Sequence, residues 1–164
     1  MKILFIQTGG TIDKDYPRSK GGYAFEFGEP ATKRLLERLG PSFSYEVVTA
    51  FQKDSLEVTD ADREILASLI EEHSEERIII THGTDTMIET AKFLASRESL
   101  AGTRRIVLTG SMRPERFSNT DAPLNVGSAM AAVQILPKTG VYVTMHGVVR
   151  EAHEAKRDDS GQFI

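Results

Sequence analysis

The sequence predicts an α/β fold: a three-layer α/β/α sandwich around a mostly parallel, flavodoxin-like sheet. Three features lead there. Short runs such as Ile78–Ile80 are apolar and β-branched at every position, as in strands buried on both faces. Such runs alternate with stretches of helical apolar spacing about four times. Small hydroxyls, glycines and carboxylates gather directly after each run, where an open α/β sheet holds its ligand crevice.

In chain order, Lys2–Gln7 is a first buried strand that ends in Thr8-Gly9-Gly10-Thr11-Ile12. The paired glycines permit a tight turn whose amide N–H groups point at a ligand. Alone they read as an ordinary strand-to-loop turn, and Thr11 beside them tips the reading toward a site. Neither GxGxxG nor GxxxxGK[ST] occurs, so a dinucleotide or nucleotide is poorly supported. Asp13–Glu29 lacks an apolar period and contains Pro17, Gly21, Gly22 and Gly28, which reads as a lid. Pro30–Leu39 is a helix with proline in its first turn, ended by Gly40-Pro41. Tyr45–Ala50 is the second strand, followed by Phe51-Gln52-Lys53-Asp54-Ser55. Thr59 caps a helix from Asp60 to about His73, with Asp62 as an early acid suited to the helix dipole.

The central strand, Ile78–Ile80, stops at Thr81-His82-Gly83-Thr84-Asp85-Thr86 and passes into a helix that turns Met87, Ala91, Phe93, Leu94 and Ala95 inward. Arg105–Leu108 is the fourth strand, ending in Thr109–Pro114. Ser118-Asn119-Thr120-Asp121 caps a helix over Ala122–Leu136, and Pro137 and Gly140 break the chain before a fifth strand, Val141–Met145. His146–Ile164 is polar, of mixed charge, contains Lys156 and receives no element.

Composition narrows the function classes. The 164 residues suit one domain, residues 1–164, and 40% hydrophobic with 27% charged residues describe an ordinary globular chain. There is no cysteine, hence no disulfide and no thiol nucleophile. No run approaches the ~18 apolar residues of a membrane span. The chain opens directly on strand-like MKILFIQ, so no signal peptide and a cytoplasmic location are expected. A net charge of −4 with scattered basic residues argues against nucleic acid. The four histidines lack metal-ligand spacing, and neither metal nor cofactor is expected.

Side by side, the strand ends bring Thr11, Ser55, Thr84, Asp85 and Ser111 to one crevice. Thr84, Asp85 and Thr86 are good helix caps, but a cap needs one such residue, not several. A threonine hydroxyl attacks only once a base takes its proton. Lys156 with Asp85 and Thr84 supplies the material for one activated hydroxyl, and Tyr23 near Thr11 for another. Spare N–H groups after Gly9-Gly10 and at Gly83 suit an oxyanion. Such residues fit hydrolysis of an amide or ester. Lys156 equally reads as a solvated surface lysine.

TGGTI at 8–12 and THGTDTMIETA at 81–91 resemble the two signature motifs of the asparaginase/glutaminase family, the bacterial-type L-asparaginases. Only Ile88 is unusual in the second. VLTGSMRP at 107–114 and the Asp121/Asn125 region are also similar to the family. The resemblance covers nearly the whole chain but only the larger N-terminal domain of the usual two-domain enzyme; the C-terminal domain, which in the family lends each site an acidic residue from a neighbouring protomer, is not part of this sequence, which reads either as a stand-alone short form or as a fragment.

The resemblance implies roles. Thr11 matches the primary nucleophile and Tyr23 the loop tyrosine that assists it, with Tyr16 as the fallback. Gly10 belongs to the same substrate-binding turn. Ser55 matches the serine that holds the substrate α-carboxylate. Thr84 and Asp85 match the second hydroxyl and the carboxylate that binds the substrate ammonium, and Lys156 the lysine completing that triad. Ser111 sits where a backbone carbonyl faces the leaving amide. An unusual left-handed crossover is implied as well. The expected activity is L-asparagine hydrolysis to L-aspartate and ammonia, with possible glutaminase side activity, in a homo-oligomer (dimer or tetramer) acting on a small amino-acid amide without nucleic acid or membrane. Two other readings stand beside it: an ammonia-supplying amidase subunit of a larger assembly, and a non-catalytic amino-acid-binding domain.

Overall fold

The computed structural model describes residues 1–16 and 25–164. Along the chain come β1 (Lys2–Gly9), the ribbon strands β2 (Lys14–Asp15) and β3 (Glu26–Phe27), α1 (Ala31–Leu39), β4 (Ser44–Lys53), α2 (Asp60–Glu72), β5 (Arg77–Thr81), α3 (Met87–Ala95), α4 (Glu98–Ala101), β6 (Arg105–Thr109), α5 (Ala122–Ile135), β7 (Gly140–Met145) and β8 (Val148–Glu151). The main sheet runs β4-β1-β5-β6-β7-β8. Its neighbours are parallel except for β8, which is antiparallel to β7. Counting only the parallel strands in chain order, the sheet reads 2-1-3-4-5, the flavodoxin-like order. Its switch point lies between β1 and β5.

Side chains alternate across each strand, and because both faces are covered nearly every position of β1, β5 and β6 is buried. Leu4, Ile6, Ile78, Ile80, Ile106 and Leu108 face a layer formed by α2, α3 and α4. Ile3, Phe5, Ile79 and Val107 face the opposite layer, where α1 contributes Leu36 and α5 contributes Ala129, Ala132 and Val133. The inward residues of α3 include Met87, Ala91 and Leu94, all fully buried, while Phe93 and Ala95 sit at the margin.

This allocation fixes the relative hand of the crossovers. The β1–β4 step moves one way along the sheet through α1. The β4–β5 and β5–β6 steps move the other way over the other face, so all three share one hand. The β6–β7 step keeps their direction but places α5 beside α1, and its hand is therefore opposite. It is the exceptional crossover that the family resemblance implied.

Several elements differ from the expectation. β4 runs on to Lys53, so Phe51, Gln52 and Lys53 belong to the strand. The stretch given no element holds β8, joined to β7 by a two-residue turn with His146 at φ 52° and Gly147 at φ 81°. Positive φ at both central residues is the hairpin turn whose twist matches its strands. The expected lid is entered and left through the β2–β3 ribbon, and its residues 17–24 lie outside the described part. Among the described residues no helix is long and apolar enough to cross a membrane.

Ile79 is fully buried between the sheet and the α1/α5 layer. Ile79→Ala should cost about 2–5 kcal/mol through the cavity it leaves, read as a lower denaturant midpoint at unchanged m-value.

Candidate active site

At the switch point the ends of β1, β4 and β5 interlock through backbone. Gly10, at φ 81°, lies so close to the β5 loop that a Cβ there would sit 2.3 Å from the Gly83 nitrogen. A Cβ on Gly83 would in turn sit 2.5 Å from that of Ser55. The Gly10 N–H donates to the Lys53 carbonyl at 2.9 Å, closing the contact from the β4 side. Thr11 follows at once as the first residue of a 3₁₀ turn, Thr11–Asp13, and is half-buried. Among the described residues its hydroxyl has no hydrogen-bond partner.

Ser55 and Asp85 meet in the same place. The Asp85 N–H donates to Ser55 Oγ at 3.2 Å, Ser55 Oγ lies 3.3 Å from Asp85 Oδ2, and Thr86 Oγ1 donates to the Ser55 carbonyl at 2.7 Å. Ser55 is buried, whereas the Asp85 side chain is 51% exposed and faces solvent. The β4 loop is held from outside by Lys53 Nζ on both oxygens of Asp62, at 2.8 and 2.9 Å, and by Lys14 Nζ on Asp54 at 2.6 Å. Asp62 and Thr59 form the helix capping box.

The β6 loop is set by Asp121, whose carboxylate accepts the N–H groups of Met112 and Arg113 and the Asn125 amide at 2.8 Å. Asp121 therefore binds the loop rather than capping α5, and Thr120 Oγ1 accepts the Ala122 N–H instead. Ser111 is buried with its hydroxyl turned to the Arg113 carbonyl. Gly110 keeps this loop against β5: a Cβ there would lie 2.3 Å from the His82 carbonyl.

The structure brings Gly10, Thr11, Ser55, Thr84 and Asp85 together and places Ser111 on the adjoining loop. Lys156 is not brought to them. It is exposed and lines a separate surface depression with Lys92, Arg150 and His153. The cation beside the β5 loop is its neighbour Arg157, with Nη1 3.5 Å from the Thr84 carbonyl and 3.7 Å from Asp85 Oδ1. In an irregular segment adjacent side chains leave on different sides, and here the one facing Asp85 is the arginine. Tyr23 lies outside the described residues. The fallback, Tyr16, is exposed and packs against Phe25 with ring centroids 4.1 Å apart.

Sequence reasoning also missed a buried relay behind the β5 loop. Arg63 Nε donates to Thr90 Oγ1 at 3.1 Å, and Thr90 Oγ1 lies 3.0 Å from His82 Nε2. His82 Nδ1 is 2.8 Å from the Gly83 carbonyl. With Thr90 accepting from arginine, its proton goes to Nε2, and Nδ1–H is left to donate to Gly83. The relay holds the Gly83 turn against Gly10.

A doubly wound α/β domain with hydroxyls and one exposed carboxylate at its switch point is the class these features define. Residues 2–163 match the asparaginase N-terminal domain, and the chain belongs to that family. A glutaminase-asparaginase of Acinetobacter glutaminasificans is 30% identical over 164 residues, which cover 94% of this chain and 49% of that protein. A glutamyl-tRNA(Gln) amidotransferase component of Sulfurisphaera tokodaii is 27% identical over 190 residues, 96% of this chain and 38% of that one. The thermostable L-asparaginase from Thermococcus kodakarensis superposes with a TM-score of 0.80 at 25% identity, over 96% of this chain and 48% of that one. L-asparaginase I from Vibrio cholerae, at 22% identity, shares the fold with a TM-score of 0.83, over 99% of this chain and 50% of that one. The chain thus spans half or less of the length of these relatives.

Two buried ionisable groups flank the crevice with opposite pH behaviour. Burial pushes the Asp13 carboxyl up to about 7, against the Ala31 N–H, the Gln7 side chain and the Arg34 guanidinium. One oxygen accepts the Ala31 N–H at 2.7 Å, and the other is buried without a partner among the described residues. Burial pushes His82 down to about 4, so its ring is neutral. The folded state holds the Asp13 proton that the unfolded chain loses near 3.8, so this contribution to stability falls as pH rises from about 4 to 7. His82 does the reverse: the unfolded chain takes up a proton below 6.5 that the folded state refuses, and stability is lost as pH falls toward 4. Between pH 4 and 6.5 the two oppose each other. Asp13→Asn should remove one arm, leaving a stability that drops by up to roughly 3 kcal/mol as pH falls through that window, and raise stability at pH 8. Denaturant unfolding at stepped pH values measures both.

Proposed function

We propose that this domain hydrolyses the side-chain amide of a small amino acid, L-asparagine first and L-glutamine second. The observation that carries the reading is the backbone contact of Gly10 with Gly83, which joins the loop that carries Thr11 to the loop that carries Thr84 and Asp85. In this reading Thr11 Oγ attacks the amide carbon as its proton passes to a base, the role assigned to Tyr23. The oxyanion is met by N–H groups of the turn after Gly10. The base hands that proton to the leaving nitrogen as the C–N bond breaks, ammonia leaves, and water hydrolyses the threonyl ester to release L-aspartate and restore the Thr11 hydroxyl. Asp85 binds the substrate ammonium and Ser55 helps hold the carboxylate. Thr84 offers the second hydroxyl and Ser111 its carbonyl to the leaving amide. Lys156, on the separate depression that Lys92 also lines, is given no part in this reading.

Support for the chemistry comes from the family and from relatives named as glutaminase-asparaginase and L-asparaginase. A second reading, an ammonia-supplying component of a larger assembly, is favoured by the relatives named as part of a glutamyl-tRNA(Gln) amidotransferase. Ammonia release from asparagine and glutamine by the purified chain separates the two, because a supplying component is silent without its assembly. We also propose a homo-oligomer, a dimer or tetramer, which sedimentation velocity at micromolar concentration tests.

Thr11→Ala and Thr84→Val should each lower kcat/KM for asparagine by about two orders of magnitude or more, with melting temperature little changed. Near-normal turnover in either variant removes that threonine from the mechanism.

A further inference from the structure

We propose that Arg157 supplies the positive charge that recognises the substrate's α-carboxylate beside Ser55, and so selects for α-amino acids; the proposal rests on the amidohydrolase reading. A zwitterionic head group approaching Asp85 brings its own carboxylate within a few ångströms of a side chain that is 51% exposed and has no other cation beside it among the described residues. Ser55 offers only a neutral hydroxyl, itself buried and shared with Asp85. Left there alone, the substrate carboxylate faces the Asp85 charge. Arg157 resolves this.

Its guanidinium is held by packing on the Phe163 ring, 5.2 Å from the centroid, and by Nε donating to the Gly161 carbonyl at 2.8 Å. Phe163 is itself buried, and Arg157 and Phe163 pair as an isolated antiparallel bridge. The arginine side chain is 28% exposed, hence within reach of a ligand. Its contact with Asp85, at 3.7 Å, is an ion pair too long for a hydrogen bond. The two charges face the same opening without consuming each other's hydrogen-bonding capacity. An amino-acid head group entering between them exchanges one loose contact for two charge-assisted ones, ammonium on Asp85 and carboxylate on Arg157. An arginine also keeps its proton throughout, so Arg157 binds and orients but does not act as a base toward Thr84.

The test compares L-asparagine with 3-aminopropanamide, the same amide without its α-carboxylate, in the wild type, Arg157→Ala and Arg157→Lys. Arg157→Ala should lower kcat/KM for asparagine about 10–100-fold, mainly through KM, and leave 3-aminopropanamide unchanged. Arg157→Lys should recover part of the asparagine loss, because charge is restored without the planar fork. Equal losses on both substrates would mean a merely structural role and overturn the proposal, as would an unchanged KM for asparagine. Calorimetry with L-aspartate against β-alanine runs alongside. A chain that turns over neither amide refutes the hydrolase reading. A preference for L-aspartate that disappears in Arg157→Ala still upholds the carboxylate site, and no preference in the wild type overturns it.

Discussion

The structure depends on one steric constraint, the approach of two backbones at Gly10 and Gly83. No side chain fits at either position, since a Cβ would lie 2.3 Å from the Gly83 nitrogen or 2.5 Å from the Ser55 Cβ. The switch point of a doubly wound sheet is ordinarily a cleft, because the neighbouring loops turn to opposite faces. Here glycines close its floor. Thr11, Ser55, Thr84 and Asp85 become neighbours for that reason, although they come from three separate loops. Their spacing is thus set by backbone rather than by side-chain rotamers, which suits chemistry that needs fixed geometry.

Around that floor, polar side chains hold each loop from outside. Asp121 gathers the amides after β6, Lys53 ties the end of β4 to the start of α2, and the Arg63–Thr90–His82 relay stiffens the turn after β5. Buried polar groups are costly unless each finds a partner, and satisfied networks in turn specify a single arrangement. One Asp13 oxygen is among the buried atoms left without a partner, and a raised pKa is the physical response: the carboxyl keeps its proton rather than bury a charge.

Much of this was legible in the sequence. Ile78–Ile80 announces a strand covered on both faces because nothing polar interrupts it, and the β-loop-α repeat announces a mostly parallel sheet with helices on both sides. The glycines and hydroxyls after the strands mark the loops that meet at the switch point, and the family motifs imply roles for their residues. What escaped has physical reasons. Asp13, between Ile12 and Lys14, reads as a surface acid, and only the fold buries it under α1. Arg63 sits three residues after Asp60 on a helix, a spacing that reads as a solvated pair. β8 is short, and its turn signal, His146-Gly147, is weaker than Asn-Gly. In the 155–164 segment no period says which of Lys156 and Arg157 turns inward. There the expectation chose the lysine, and the structure turns the arginine toward Asp85.

The oppositely handed crossover has a consequence for how the molecule comes together in time. By carrying α5 to the α1 face, it supplies Ala122 and Val126 to the apolar cluster that seats Ile12, immediately after Thr11. The Glu115 N–H also bonds the Ile12 carbonyl at 3.1 Å. The turn that carries Thr11 therefore rests on chain that lies more than a hundred residues away and is made much later on the ribosome. Contacts of such separation carry the largest closure entropy and form late. The first strand can pair and its helix can dock while Thr11 still lacks its support, so the sheet is assembled before the crevice is.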